Sequence, residues 1–216
     1  MRLLLADDHN LMREGIRALL SKSSDLEIVG ETDNGRTAVQ MAQKLSPDMV
    51  ILDITMPGLN GIEATRQIKY HLPKCKVIVL SMHASSDMVG DALRAGANGY
   101  LTKSCLGQEL VQAVHTVAGN QTHLSPQVAG VVAEGYLEQM APSAGKRTKA
   151  LTPRQREILQ LLADGYSTKQ IAKQLSRSIK TIEMHRLHIM GQMGFDSIAD
   201  LTKYAIRKGL ASLEAK

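Results

Sequence analysis

The sequence predicts an α/β fold in its first part, a five-stranded doubly wound parallel sheet, joined to a C-terminal all-α helix-turn-helix domain. Three observations carry this reading. Five short apolar runs alternate with five amphipathic runs over residues 1–120, and four helix-like runs with clear start signals fill residues 150–216. Charge separates the same two regions: residues 1–124 hold 12 Lys and Arg against 13 Asp and Glu, whereas residues 146–216 hold 14 against 6.

Taken in order, the apolar run from Leu3 stops at the adjacent acids Asp7 and Asp8, and an amphipathic stretch follows from Met12 to Leu20. A strand is expected from Leu26 to Glu31 and a helix from Thr37 to Leu45, then a strand from Met49 to Asp53 and a helix from Gly61 to Tyr70. Val77 to Ser81 precedes a helix from Met88 to Arg94, and Gly99 to Leu101 precedes one from Gln108 to Ala118. Ser125-Pro126 is a helix start, with the hydroxyl as cap and proline in the first turn. The helix it opens, Val128 to Met140, has modest propensity because Gly130 and Gly135 interrupt it. Ala141 to Gly145 and the basic run Lys146 to Lys149 read as a flexible tether. Thr152-Pro153 then opens a helix that Gly165 ends, Thr168 caps a short second helix, and Ser178 starts a third that runs to about Met193. Ser197 starts a fourth, to about Lys208. The expected division is residues 1–120, a linker helix and tether over 121–149, and a helical domain over 150–216.

The chain is long enough to give two domains a core each. A compact basic domain points to nucleic acid or an anionic membrane surface. No stretch approaches the roughly 18–20 apolar residues of a membrane span, and the N-terminal apolar run is cut off at Asp7, too soon for a signal peptide. A cytoplasmic protein is expected. Cys75 and Cys105 lack metal or redox spacing and read as reduced, partly buried thiols. Trp is absent and Phe195 is the one phenylalanine, so the cores are aliphatic and no aromatic platform for single strands exists.

The chemistry gathers at strand ends. In an open α/β sheet, function sits beyond the carboxyl ends of the strands, and Asp53 falls there, before Pro57 and Gly58 break the chain. A carboxylate so placed can be a nucleophile, a metal ligand or both; alone, it could equally cap a turn. Asp7, Asp8, Ser81 and Lys103 end three other apolar strands, so parallel neighbours bring all five to one rim. Three carboxylates this close repel: at about 4 Å and an effective dielectric near 20, each pair costs roughly 4 kcal/mol. A divalent cation offsets that cost, and all-oxygen ligands favour Mg²⁺. With Mg²⁺ and Lys103 neutralising a phosphoryl group and Ser81 donating to it, Asp53 can attack in line, and the set reads as an aspartyl-phosphate site.

The segments LLLADDHNLMREG, VILDITMPGLNGIEATRQIK, VIVLSMH and ANGYLTKS resemble the receiver domain of bacterial two-component response regulators, a flavodoxin-like fold. The resemblance implies that Asp53 accepts a phosphoryl group from a sensor histidine kinase, that Asp7 and Asp8 hold Mg²⁺ with Asp53, and that Ser81 and Lys103 contact the phosphate. It also implies a switch in which Ser81 swings toward the phosphate and Tyr100 rotates inward behind it. Taken without the family, Tyr100 is an ordinary half-buried strand residue. Two positions depart from the pattern: Asn60 stands where an acid is common, and bulky Met82 where a small residue is common, which is expected to slow access to the site.

In the third C-terminal helix, Ile182, Ile189 and Met193 recur on one side, which makes it the core side. The opposite face holds Lys180, Glu183, Met184, Leu187, His188 and Gly191. Glu183 can accept from cytosine N4, and Met184 or Leu187 can meet a thymine methyl. Lys169, Lys173, Lys180 and Arg186 suit phosphate contacts, with Thr181 beside them. The alternative for a basic helix is a solvated face. Residues 151–210 resemble the LuxR-type helix-turn-helix of the NarL/FixJ regulators, with Arg177 in place of a small apolar residue and Gln192 in place of a lysine. His185 and His188 lack the third ligand a metal site needs.

Together these readings lead to the expectation of a two-component response regulator, not an enzyme, whose phosphorylation at Asp53 promotes homodimerisation and binding to double-stranded promoter DNA. RNA polymerase is a further candidate partner, and a membrane is not. One rival keeps the DNA binder and makes the receiver vestigial and phosphorylation-independent. The other is an aspartate-nucleophile phosphohydrolase of the haloacid-dehalogenase type, but the first strand ends in Asp7-Asp8 rather than D-x-D and no cap insertion exists.

Overall fold

Strand residues of the first part alternate between two apolar layers, and that alternation fixes where its helices lie. The computed structural model describes residues 1–82, 84–140, 151–195, 197–207 and 210–211. The chain divides into two units, Met1–Pro142 and Ser143–Lys216.

In the first unit, β1 (Arg2–Ala6), β2 (Glu27–Thr32), β3 (Met49–Asp53), β4 (Lys76–Ser81), β5 (Gly99–Thr102) and β6 (His123–Leu124) form one sheet in the order β2-β1-β3-β4-β5-β6. All neighbours are parallel. Leu4, Ala6, Val50, Leu52, Val77, Val79 and Tyr100 face one layer. Leu3, Leu5, Met49, Ile51, Ile78, Leu80 and Leu101 face the other. The first layer is closed by α2 (Gly35–Leu45), α3 (Gly61–His71), α4 (Ser86–Arg94) and α6 (Pro126–Met140), the second by α1 (Asn10–Leu20) and α5 (Leu106–Ala118). Burial on both faces explains why β3 reads as an unbroken apolar run before its acid.

The sheet has six strands where the sequence pattern led to five. Two residues, His123 and Leu124, pair with Gly99 and Tyr100, too short a strand to leave a period-2 signal. The helix expected as a linker packs onto the sheet: Val128 is fully buried in the Tyr100 layer and Val132 lies against it. Gln127 Oε1 accepts a hydrogen bond from Thr102 Oγ1 at 3.3 Å. The expected hydroxyl cap is absent, since Ser125 Oγ is buried and has no partner among the described residues. The tether expected over Ala141–Lys149 and the helix end near Lys208 lie outside the described residues.

The second unit holds α7 (Pro153–Ala163), α8 (Thr168–Gln174), α9 (Ile179–Met193) and α10 (Ile198–Arg207). Ile158, Leu159, Leu161, Ile171, Ile182, Ile189 and Leu201 form its core. Thr152 and Gln155 make a reciprocal capping box at α7, and Gly165 leaves that helix at φ +86°. Ser167, not Thr168, caps α8, because it is Ser167 that forms the capping box with Gln170. Ser178 caps α9 and Ser197 accepts from the Asp200 amide at the start of α10. No helix among the described residues is long and apolar enough to cross a membrane.

Candidate functional site

Parallel pairing sets the carboxyl ends of β1, β3, β4 and β5 along one rim. Asp53 closes β3, Ser81 closes β4, and Lys103 follows β5 in a 3-10 turn, Lys103–Cys105. Asp7 and Asp8 follow β1. The chain after Asp53 folds back on its own strand: Gly61 N donates to Ile54 O at 2.8 Å, and a Cβ at Gly61 would meet Asp53 O at 2.1 Å. Only glycine permits that return. Asn60, the departure noted in the sequence, is buried and caps α3, its Oδ1 accepting from Glu63 N at 2.9 Å.

The structure brings four of the five residues into one charged cluster. Lys103 Nζ lies 2.9 Å from Asp7 Oδ2 and 2.9 Å from Asp53 Oδ2, with all three side chains buried. Asp7 Oδ1 accepts the His9 amide at 2.9 Å, and Thr55 Oγ1 stands 3.5 Å from Asp53 Oδ2. Asp8, 29 % exposed, meets His9 Nδ1 at 2.8 Å. Asp53 Oδ1 is buried with no donor among the described residues. Burial pushes the Asp53 carboxyl up to about 6; Lys103 pulls it down, and Asp7 and Asp8 raise it further. Burial draws the Lys103 ammonium down, but the Asp53 and Asp7 carboxylates more than offset this and leave it above its usual range.

Ser81 is buried one strand away and is hydrogen-bonded with the Tyr100 hydroxyl. Tyr100 is fully buried, not half-buried, and burial pushes its phenol up to about 12. Met82, next to the buried Ser81, is 63 % exposed. Both cysteines are free thiols; burial pushes Cys75 up to about 11.

The donor set fits a hard divalent cation. Ligating atoms of Asp7, Asp8, His9 and Asp53 lie within 4.8 Å of one another, and one Asp53 oxygen has no internal donor. One ammonium shared by two buried carboxylates, with a third beside them, leaves negative charge to be balanced. His9 and Thr55 were missed in the sequence; their signal was adjacency, one residue after Asp8 and two after Asp53.

In the second unit, Ile182 and Ile189 are fully buried, while Lys180, Glu183, Met184, Leu187 and His188 share an exposed face of α9. Met184 and Leu187 are each 65 % exposed and, three residues apart, are neighbours on that helix face. Lys169 and Lys173 are exposed on α8. Thr181 is tied into the α9 cap through its amide and hydroxyl, both meeting Ser178 Oγ. Arg186 is half-buried, its Nε without a partner among the described residues. Exposed Ile179 beside Lys180 and exposed Arg177 extend the same end of α9. Gln192 is half-buried.

Residues 3–115 match the response regulator receiver domain family, and residues 149–205 match the bacterial regulatory proteins of the luxR family. The oxygen regulatory protein NreC of Staphylococcus carnosus is 34 % identical over 214 residues, covering 97 % of this chain and 99 % of that protein. A LuxR-family two-component response regulator from Aurantimonas superposes with a TM-score of 0.61 at 36 % identity, over 63 % of this chain and 97 % of that one. RcsB from Salmonella enterica serovar Typhimurium, solved on the promoter rprA with the phosphomimetic BeF3-, gives 0.67 at 27 % identity over 94 % and 97 %.

Proposed function

This chain belongs to the response regulators that join a receiver domain to a LuxR-type DNA-binding domain, and from that premise we propose that Asp53 is the phosphoacceptor through which it controls promoter binding. The protein is a DNA-binding transcription regulator by family. The observation that carries the residue assignment is the buried Lys103 ammonium held between Asp7 and Asp53 at 2.9 Å each.

A carboxylate oxygen of Asp53 attacks the phosphorus of a phosphohistidine on a sensor histidine kinase. The P–N bond breaks as the P–O bond forms, and the imidazole nitrogen leaves with the bonding pair. Asp7, Asp8 and Asp53 would hold Mg²⁺, which when bound supplies charge neutralisation for the phosphoryl oxygens. Lys103, already charged and buried, turns from the carboxylate to the new phosphoryl oxygens. Ser81 donates to one of them, and its hydroxyl then leaves Tyr100. A buried phenol that loses a partner costs roughly 1–3 kcal/mol unless it finds another, so occupancy of Asp53 is felt in the layer that Tyr100 shares with α4 and α6.

The receiver is assigned to residues 1–120, the linker to 121–149, whose β6 and α6 pack on the receiver sheet, and the DNA-binding domain to 150–216. On DNA, the exposed α9 face enters the major groove: Glu183, Met184, Leu187 and His188 meet base edges, and Lys169, Lys173, Lys180, Thr181 and Arg186 lie toward phosphates. The RcsB structure, on a promoter with a phosphomimetic, supports coupling the two activities. Phosphorylation favours a homodimer, because a second half-site raises both affinity and specificity. Action is cytoplasmic, at promoters and toward RNA polymerase, without an enzymatic turnover of its own.

The test is DNA binding and oligomeric state with Mg²⁺, before and after acetyl phosphate, for wild type and Asp53→Asn. Wild type should dimerise and bind more tightly, and the variant should neither label nor respond. If both bind DNA equally with or without donor, the receiver is vestigial and the assignment of Asp53 falls.

A further inference from the structure

The two leading carboxylates of the cation site ride on the short connection between β1 (ending at Ala6) and α1 (starting at Asn10). The Asp7 carboxylate is anchored, Oδ1 by the His9 amide and Oδ2 by its ion pair with Lys103. Asp8 is the more exposed acid, and His9 Nδ1 stands beside it. Where Asp8 sits is therefore decided by the backbone of residues 7–10. Arg13 grips that backbone. Its Nη1 donates to the carbonyl of Asp7, the oxygen of the peptide unit joining Asp7 to Asp8, at 2.6 Å. Its Nη2 donates to Asn10 Oδ1 at 2.5 Å, and its Nε lies 3.5 Å from Glu31 Oε2 on β2. Its own amide donates to His9 O at 3.0 Å. One planar, 19 % exposed guanidinium thus joins the end of β1, the loop, α1 and the neighbouring strand, a bridge that a flexible ammonium cannot reproduce.

We propose that Arg13 is a positioning residue for the divalent cation, holding the peptide between Asp7 and Asp8 so that both carboxylates are presented together. This rests on the reading of those acids as a cation site. The electrostatic alternative has the opposite sign. Arg13 carries a positive charge near the carboxylates, so removing it relieves repulsion and by charge alone tightens cation binding. A positioning role makes removal weaken it. Arg17 is the internal control, since its guanidinium meets the same Glu31 at 3.6 Å and, among the described residues, makes no hydrogen bond to the loop.

The experiment measures Mg²⁺ affinity of the full chain by titration calorimetry, with Mn²⁺ as a paramagnetic probe, for wild type, Arg13→Gln, Arg13→Lys and Arg17→Gln. Arg13→Gln should weaken both cations about tenfold, the scale of other groups that orient metal ligands. Arg13→Lys, which keeps the charge, should weaken them too, and Arg17→Gln should leave affinity equal or tighter. Acetyl phosphate labelling of Arg13→Gln should recover at saturating Mg²⁺, which separates cation positioning from damage to Asp53. Circular dichroism melting checks the fold, and Arg13→Lys carries the test if Arg13→Gln melts too low. Wild-type affinity in both Arg13 variants overturns the proposal while leaving the cation site standing. Failure of wild type itself to bind either cation overturns the cation reading and the proposal with it.

Discussion

Lys103 and Asp53 form an ion pair of 2.9 Å in which neither side chain is more than 2 % exposed, and the same ammonium serves Asp7. Two buried carboxylates sharing one cation is an arrangement poised for more positive charge or for an anion that brings its own counter-ion. It also makes the site costly to disturb, since removing one member of a buried pair strands the others.

Lys103→Met should therefore destabilise the first unit by about 3 kcal/mol in EDTA, because Asp7 and Asp53 are left buried together without a counter-charge. Mg²⁺ should restore part of that loss if the acids hold it. Denaturant unfolding with and without Mg²⁺ reads both; a variant as stable as wild type in EDTA would show that the carboxylates simply protonate at little cost.

Asp53 supplies a pH signature. An aspartate ionises near 3.8 when free and at about 6 here, raised chiefly by burial. Between these values the folded chain binds more protons than the unfolded chain, so this group's contribution to stability is present at low pH and is lost as pH rises to about 6. Measured in EDTA, wild type should lose stability relative to Asp53→Asn between pH 4 and 7, by on the order of 3 kcal/mol. The opposite trend would mean that attraction to Lys103 outweighs burial.

Tyr100→Phe removes the hydroxyl that meets Ser81 while keeping the buried ring. The expected cost in stability is about 1 kcal/mol, with labelling of Asp53 retained and the phosphorylation-dependent gain in DNA affinity reduced. Equal gain in wild type and variant would remove Tyr100 from the switch.

On the DNA side, Lys180→Ala should weaken binding at all sequences and flatten its salt dependence by about one counter-ion. Glu183→Ala should instead change which bases are preferred. A Glu183 variant that loses affinity uniformly would shift the base-reading face elsewhere on α9.

Much of this molecule could be read from local pattern. The strand ends at Asp7, Asp53 and Ser81, and the caps at Thr152, Ser178 and Ser197, depend on neighbours within a few residues, so period-2 runs and capping chemistry are enough to find them. The cap of α8 was missed by one residue because Ser167 and Thr168 are both good caps, and only the reach of Gln170 back to Ser167 chooses between them. The sixth strand was missed because two residues carry no period. Asn60 departs from the acid common at its position, and only the fold shows it buried as the cap of α3, accepting from the Glu63 amide.

By itself the sequence determined the alternation of five strands and helices, the acids, hydroxyl and lysine that close those strands, and the basic helical unit at the end, because each is written in residues adjacent along the chain. The tertiary structure decided the strand order, the sharing of Lys103 between Asp7 and Asp53, the bond between Ser81 and Tyr100, the packing of α6 on the sheet and the grip of Arg13 on the loop. Those depend on residues tens of positions apart meeting in a closed core, where burial and unpaired charge, rather than local preference, set which partners each group must find.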